Sequence, residues 1–504
     1  MFAKLGHAVA HRAKAMLLLS IVLVITFGAL GSQVFTRFDS GGYSNPNSDS
    51  AKVWDYLKNT FNVKDPALVV VVQTKTGTVD DQSVADQAAK LELQLKSEPS
   101  AEKTLSYWSS GRIPSLKSKD QTAAYIFVYL KSSDFTDVDK LGGYYQKKYE
   151  GNFETLKVRT SGGAVFSHSI NSRIQNDLKI SEAISIPLTF LMLLIVFGAL
   201  VASAMPLVIG ITAILGTFFL LYLLTLITHV SVFALNLTTG LGLGLGIDYA
   251  LLIVNRFREE LRNGVNREQA LVNTLSTAGK TVFYSGITVM LTLISLTFFP
   301  MNFLKSMGYA GTIVVGTAVI GALIPLPAVL MLLGNKVDKY VVRKGAIVPK
   351  HDGGWAKIAR FVMRRPIPVV VICGLILTAF ILPISNVKFS QVDSRVLPKS
   401  DPAYQAAAFI AANFPGQEAN PIEIIFPQGA NKVDSIKNYS QELSKLNGVV
   451  RVDQPQIAGA AVRLVAIHSM PPRTPESQNL INQIRKIKSD QEVLVGGFAA
   501  DYTD

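Results

Sequence analysis

The sequence predicts a multi-pass α-helical membrane protein carrying two extracytoplasmic α+β domains. Three observations predict it. Seven stretches are apolar over lengths that cross a bilayer as helices, which takes about 20 residues. Basic residues gather at alternate ends of these stretches, which assigns one side to the cytoplasm. Two long polar stretches fall on the opposite side and share a pattern. The chain has 504 residues, 49% of them hydrophobic and 17% charged. Its mean hydropathy of +0.31 is high for a soluble enzyme.

Residues 1–36 form a cytoplasmic N-terminus and the first span, near Ala15–Val34, entered past Lys4, Arg12 and Lys14. The basic start and the small residues at 28–32 also fit a cleaved leader; the repeat described below weighs against that. Residues 37–182 form the first extracytoplasmic domain. Its pattern reads strand at Ala67–Gln73, helix at Asp81–Leu95, strands at Thr104–Trp108 and Ala123–Leu130, helix at Asp137–Tyr149 and strand at Leu156–Arg159.

Residues 183–334 hold five spans, near Ile184–Leu200, Leu207–Leu226, Val232–Val254, Thr281–Phe299 and Ala310–Leu333. Pro187, Pro206 and Pro325 fall in or beside them, where neighbouring helices can satisfy the freed backbone groups. A basic cytoplasmic linker, 335–365, includes Lys336, Lys339, Arg343, Lys344, Lys350, Lys357, Arg360, Arg364 and Arg365. The seventh span, Ile367–Ile384, lies in 366–388. The second extracytoplasmic domain, 389–504, reads strand at Ile422–Phe426, helix at Ser435–Leu446, strands at Val449–Val452 and Val462–Ile467, helix at Ser477–Lys488 and strand at Val493–Val495. Each domain thus holds two βαβ halves, an α+β sandwich of ferredoxin-like type.

The two domains also begin and end alike. "RFDSGGYSNPNSDSAKVWDYLKNTF" near 37–61 answers "QVDSRVLPKSDPAYQAAAFIAANF" near 391–414, and "TSGGAVFS" answers "LVGGFAAD". Placing Asp39 on Asp393 gives a repeat offset of 354 residues. The first copy has five spans after its domain, whereas the second ends with its domain at Asp504. Parallel repeats of this kind occur in transporters.

Much of the formal charge of +13 comes from the cytoplasmic flanks, so a nucleic-acid partner loses support. The single Cys373 excludes an internal disulfide framework, and no Cys/His metal pattern appears. No Ser-His-Asp or zinc constellation is readable, His168 and His229 look incidental, and neither an enzyme nor a cofactor is expected. "TLSTAGKT" at 274–281 resembles the end of a phosphate-binding loop, but Thr274 stands where the pattern needs glycine. The glycines at 240–246 do not make G-x-G-x-x-G either. A nucleotide is excluded.

"GLGLGLGIDYALLIVNRFREEL", 240–261, holds the candidate site. Asp248 is the only acidic residue inside the predicted spans. A carboxylate there costs about 2.5–3.5 kcal/mol, so a partner or a wet cavity must face it. A low-dielectric site favours the protonated carboxyl, which suits a proton carrier, and the Tyr249 hydroxyl beside it can relay a proton. Pairing of the carboxylate for folding alone is the other reading. Gly240, Gly242, Gly244 and Gly246 form two small-xxx-small pairs that admit a close neighbouring helix, and Gly244 shares a face with Asp248. Asn255, Arg256 and Arg258 read as anchors at the cytoplasmic helix end. Ser285, Thr288, Thr292 and Ser295 recur at helical spacing, either as packing contacts or as a polar lining near Asp248; Ser285 and Thr288 are the candidates for that lining.

One span, an α+β domain, five spans and a repeat is the layout of the resistance–nodulation–division superfamily. "GLGLGIDYALLIVNRFREEL" and "SEAISIPLTFLMLLIVFGALVASAMPLVIG" (181–210) resemble its mycobacterial membrane protein large (MmpL) branch, over essentially the whole chain. The resemblance implies proton-driven export of lipids or other hydrophobic envelope components, with Asp248 and Tyr249 as half of the proton relay. It also implies a second Asp-Tyr pair on a tenth helix. The offset would put it near position 602, beyond Asp504, so helices eight to twelve are expected to be missing. The expected partners are the bilayer, a lipid or other hydrophobic substrate and protons; the chain is expected to be a fragment, a truncated product or one half of a split transporter, and only in the last case does a second chain supply the missing helices. A non-transporting membrane scaffold, a lipid-binding remnant or one half of a split transporter is the alternative function.

Overall fold

The computed structural model describes residues 1–38, 45–132, 135–342, 354–386, 394–414, 416, 418, 420–471, 474–501 and 503–504. The aligned pair Asp39 and Asp393, and Arg343, Lys344 and Lys350 of the basic linker, lie outside the described residues. Helices α1–α18 and strands β1–β10 are numbered in chain order. The chain divides into two compact units.

The first unit comprises 1–37, 178–298 and 305–389. The described residues contain seven helical stretches long and apolar enough to cross a membrane, as the hydropathy predicts. A short amphipathic helix, α1 (Phe2–His11), precedes α2 (Ala13–Gly31). A second such helix, α13 (Gly354–Arg364), precedes α14 (Pro366–Ile381). The second span is only the end of a 35-residue helix, α6 (Gly163–Phe197), that starts far upstream of Ile184. At 1.5 Å per residue it is about 50 Å long, well beyond the hydrocarbon thickness. It stops because Gly198 takes φ +70°, a left-handed residue that closes the helix. Leu200 therefore opens α7 (Leu200–Thr225) instead of closing α6.

Helix α8 spans Phe233–Arg262. The next span joins α9 (Arg267–Thr274) to α10 (Lys280–Ile294) through a π-helical turn, Leu275–Gly279. The segment "TLSTAGKT" is thus continuous helix and no phosphate loop. The sixth span breaks into α11 (Asn302–Leu323) and α12 (Pro325–Leu333) at Ile324, whose φ −121° and ψ −69° leave the helix. Pro325 causes the break, since it lacks an N–H and crowds the preceding turn.

The second unit holds two five-stranded sheets. The first contains β1 (Leu68–Thr74), β2 (Ala101–Ser106), β3 (Ala123–Leu130), β4 (Gly151–Phe153) and β5 (Leu156–Ser161), in the order β2-β3-β1-β5-β4. Helices α4 (Gln82–Ser97) and α5 (Phe135–Tyr149) complete the unit. The second contains β6 (Ile422–Phe426), β7 (Val449–Val452), β8 (Gln456–Ala458), β9 (Ala461–His468) and β10 (Leu494–Gly496), with α16 (Val433–Ser444) and α17 (Pro475–Ile484). Its order is β10-β6-β9-β7, with β8 paired to β9. Both are antiparallel split βαβ arrangements. The offset of 354 residues carries Leu68, the start of β1, onto Ile422, the start of β6.

Some boundaries differ from the sequence pattern. Strand β2 ends at Ser106 because Ser106, Ser109 and Ser110 bond one another and turn the chain. Helix α17 ends at Ile484. The three-residue strands β4 and β8 carry too few residues to show a period. The closing glycines do equivalent work: Gly162 and Gly497 have φ +99° and +100°. A Cβ there would press on the carbonyl oxygens of Ala67 and Pro421.

The two sheets exchange helices. Helix α3 (Asp49–Asn59), which follows the first span, places Val53 and Leu57 against Ile425 and Leu494 of the second sheet. Trp54 Nε1 donates to Asp501 at 3.1 Å, and Ser50 Oγ to Asp504 Oδ2 at 2.6 Å. Helix α15 (Pro402–Asn413), which follows the seventh span, covers the first sheet. There Phe414 stacks on Tyr125 at 3.9 Å and the Arg159 guanidinium lies over Phe409 at 4.1 Å. Val69 and Val71 thus face α15 while Leu68, Val70 and Val72 face α4 and α5. A sheet covered on both faces needs an unbroken apolar strand, which is what "LVVVV" supplies.

Candidate functional site

The alternating glycines of α8 divide into two faces. Gly242 and Gly246 are buried against α7. A Cβ on Gly246 would fall 2.7 Å from Gly210 Cα, and one on Gly242 would fall 2.6 Å from Ile214 Cγ1. Gly240 and Gly244 meet nothing within 4 Å. Glycine therefore serves close packing on one face and leaves a flat groove on the other.

Asp248 belongs to the flat face. Asn236, Gly240, Gly244, Asp248, Leu252 and Asn255 are all exposed at successive helical turns. The carboxylate makes no hydrogen bond or ion pair among the described residues. Such a face is unfit for hydrocarbon, since an unpaired carboxyl and two amides would lose water without compensation. Small residues instead favour the close approach of another helix.

Tyr249, one residue on, points into the bundle and is 3% exposed in the core with Val282, Val314 and Val319. Its hydroxyl makes no hydrogen bond among the described residues and lies beside Gly286 of α10, the residue after Ser285. The structure thus places Tyr249 against the α10 turn that carries Ser285 and Gly286, inside the bundle, while Asp248 of the same helix faces outward.

The remaining hydroxyls are satisfied locally. Thr288 Oγ1 donates to Tyr284 O at 2.9 Å, Thr292 to Thr288 O at 3.0 Å, and Ser295 to Thr292 O at 2.6 Å. All three are exposed, Thr288 and Thr292 on α10 and Ser295 at the start of the 3₁₀ turn Ser295–Phe298 that follows it. Bonding back to the preceding turn is how such residues lie in an apolar medium at little cost.

Arg258 departs from its reading as a headgroup anchor. It is 4% exposed, pairs with Asp338 at 2.6 Å and donates to the Phe197 carbonyl at 3.1 Å. It ties α8 to the end of α6 and to the 3₁₀ turn Gly334–Asp338. The aliphatic stem packs along the bundle while the head finds an internal carboxylate, so no lipid is needed. Arg256 pairs with Glu259 and Glu260. Nothing local in the sequence announces Arg258, because its partners are remote in the chain.

Comparison with known proteins then decides the family. Residues 42–369 match the MMPL family. The chain belongs to the MMPL family. A membrane protein of Streptomyces coelicolor is 31% identical over 510 aligned positions, covering 97% of this chain and 67% of that protein. The trehalose monomycolate exporter MmpL3 of Mycobacterium tuberculosis is 26% identical over 84% of the chain and 48% of its own length. The mycolic acid-containing lipids exporter MmpL11 of Mycolicibacterium smegmatis is 27% identical over 69% of the chain and 38% of its own length. This MMPL chain therefore spans about half the length of MmpL3 or less of other relatives, and two thirds of the Streptomyces protein. It is a multi-pass membrane protein of the resistance–nodulation–division superfamily.

Proposed function

We propose that this MMPL chain works in the proton-driven export of lipids or other hydrophobic envelope components, with Asp248 as the proton-carrying group. The observation that carries this is the open face of α8, where Gly240 and Gly244 precede Asp248 on successive turns and the carboxylate has no partner among the described residues. A helix seated on the glycines would enclose the carboxylate, and enclosure favours its protonated form. Separation would rehydrate and ionise it. Tyr249, the next residue of α8, turns its hydroxyl into the bundle toward the α10 turn that carries Ser285, and these two hydroxyls are the candidates for passing the proton inward.

The chain supplies this half of the seam, and the facing helix comes from five further spans, in the same polypeptide or a second chain. The N-terminus lies in the cytoplasm. The two split-βαβ sheets with their exchanged helices form paired porter domains on the extracytoplasmic side. MmpL3 and MmpL11 are named as exporters of mycolate-containing lipids, which supports a lipid-class substrate here.

The test is export of envelope lipid by cells whose only functional copy of the complete transporter carries Asp248→Asn, beside Asp248→Glu at equal membrane abundance. Export lost in the first and partly kept in the second fits the proposal. Wild-type export by Asp248→Asn sinks it.

A further inference from the structure

We propose that His7, His11 and Glu268 form a binding site for a divalent transition cation that clamps α1 to α9. The two histidines stand at i and i+4 in "HAVAH" on α1, so both imidazoles lie on one side of that helix. Glu268 comes from the first turn of α9, 261 residues from His7.

Packing holds the two helices in register. A Cβ on Gly6 would fall 2.9 Å from Val272 Cα, so α1 and α9 touch backbone to backbone. Val9 is fully buried in the same contact region, and Phe2 meets Phe283 edge-on at 5.5 Å. The polar side of α1 therefore has little freedom relative to Glu268.

The geometry fits a small ion. His7 Nδ1 is 3.1 Å and His11 Nδ1 3.7 Å from Glu268 Oε1, and one ligand atom from each residue lies within 4.8 Å of the others. Nitrogen and oxygen ligands at about 2.0–2.2 Å from a tetrahedral zinc are about 3.3–3.5 Å apart, which these distances bracket. His11 Nδ1 also lies 2.9 Å from the His7 carbonyl oxygen. Ligation through Nε2 would keep that bond as an orienting contact, and ligation through Nδ1 would replace it. Arg267 packs its guanidinium over Gly334 and leaves the site. The three side chains are 53%, 69% and 43% exposed, which provides entry and room for a water as fourth ligand.

Two imidazoles and one carboxylate suit zinc and its neighbours and not magnesium or calcium, which take oxygen-rich shells. The consequence is mechanical: the ion joins the helix entering the first span to the helix entering the fifth. This rests on contacts within the first unit and is independent of the proton-coupling proposal.

The test is titration of the purified, untagged full chain in detergent with Zn²⁺ against a chromophoric chelator. The expected result is one saturable equivalent, with affinity weakened at least about tenfold in His7→Ala/His11→Ala and in Glu268→Gln. Zn²⁺ should also raise the thermal unfolding midpoint of the wild type, by linkage, and not that of the double variant; a chelator should reverse the rise. The exposed positions let the variants fold, and Glu268→Gln keeps the side-chain shape. Equal Zn²⁺ affinity in the double variant, absence of a saturable equivalent, or equally tight binding of Mg²⁺ would overturn the proposal.

Discussion

Gly246 of α8 and Gly210 of α7 meet backbone to backbone: a Cβ on the first would sit 2.7 Å from the Cα of the second. Gly244, two residues earlier on the same helix, would place its Cβ in open space. The two positions should therefore respond oppositely to one methyl group. Gly246→Ala forces α7 and α8 apart and lowers stability by about 1–3 kcal/mol. Gly244→Ala leaves stability unchanged or raises it by up to about 1 kcal/mol through helix propensity. Thermal unfolding of the two variants in detergent checks this, and equal losses would contradict the division of faces.

Arg258 makes a second stability prediction. Removing its partner by Asp338→Ala leaves a guanidinium that is 4% exposed with the Phe197 carbonyl as its one remaining hydrogen-bond partner among the described residues. The loss should be about 1–3 kcal/mol. Breaking the exposed Arg173–Asp177 pair, with side chains 53% and 52% exposed, should cost at most about 0.5 kcal/mol. The same unfolding assay compares them.

The helix exchange predicts a local effect at Phe414. The ring is 4% exposed and stacks on Tyr125 at 3.9 Å. Phe414→Ala should cost about 3–5 kcal/mol and loosen α15 from the first sheet. Hydrogen exchange should show lost protection in α15 and β3, with β6 and β9 little changed. Uniform loss across both sheets would argue that they unfold as one body.

The sequence carried the spans and the core strands, because bilayer thickness and strand period act locally. Val462–Ile467, for instance, lies wholly inside β9. It also singled out Asp248, since one acid in an apolar run is visible without a structure; Pro325 was visible too, but its breaking the sixth span into α11 and α12 was not foreseen. The exchange of α3 and α15 was hidden because it depends on contacts between copies 354 residues apart. Its one local trace was the unalternating "LVVVV", which signals cover on both faces. Similarly, glycine spacing marked two packing pairs on α8, but which pair meets α7 depends on Gly210 and Ile214. Arg258 was misread because a basic residue at a span's end looks the same whether it meets a lipid or an internal carboxylate.

His468 ties the stability of the second unit to pH. The ring is fully buried, and Nε2 lies 3.1 Å from the Asn420 carbonyl. Burial pushes its pKa below the ordinary histidine value of 6.5. The unfolded chain then binds the proton more readily than the folded one, so the neutral ring's stabilisation is present above about pH 6.5 and is lost as pH falls below it. From pH 7.5 to 5.5 the unfolding midpoint of the wild type should fall relative to that of His468→Gln. Glu98, held below the usual carboxylate range against its burial by Lys148, Tyr149 and Tyr144, acts only at lower pH, whereas Asp65, raised to about 6 by burial, works in the opposite direction inside this window, so the histidine is read from the difference between the two proteins. An unchanged pH slope in His468→Gln would contradict the assignment.

The central claim is that Asp248 takes up and releases the proton that drives export. Its most direct test is transport of a labelled envelope lipid by proteoliposomes containing the complete transporter, energised by an imposed pH gradient. Wild type and Asp248→Glu should transport and dissipate the gradient together, while Asp248→Asn should do neither, although it inserts and folds normally. Gradient-driven transport by Asp248→Asn at the wild-type rate would contradict the account.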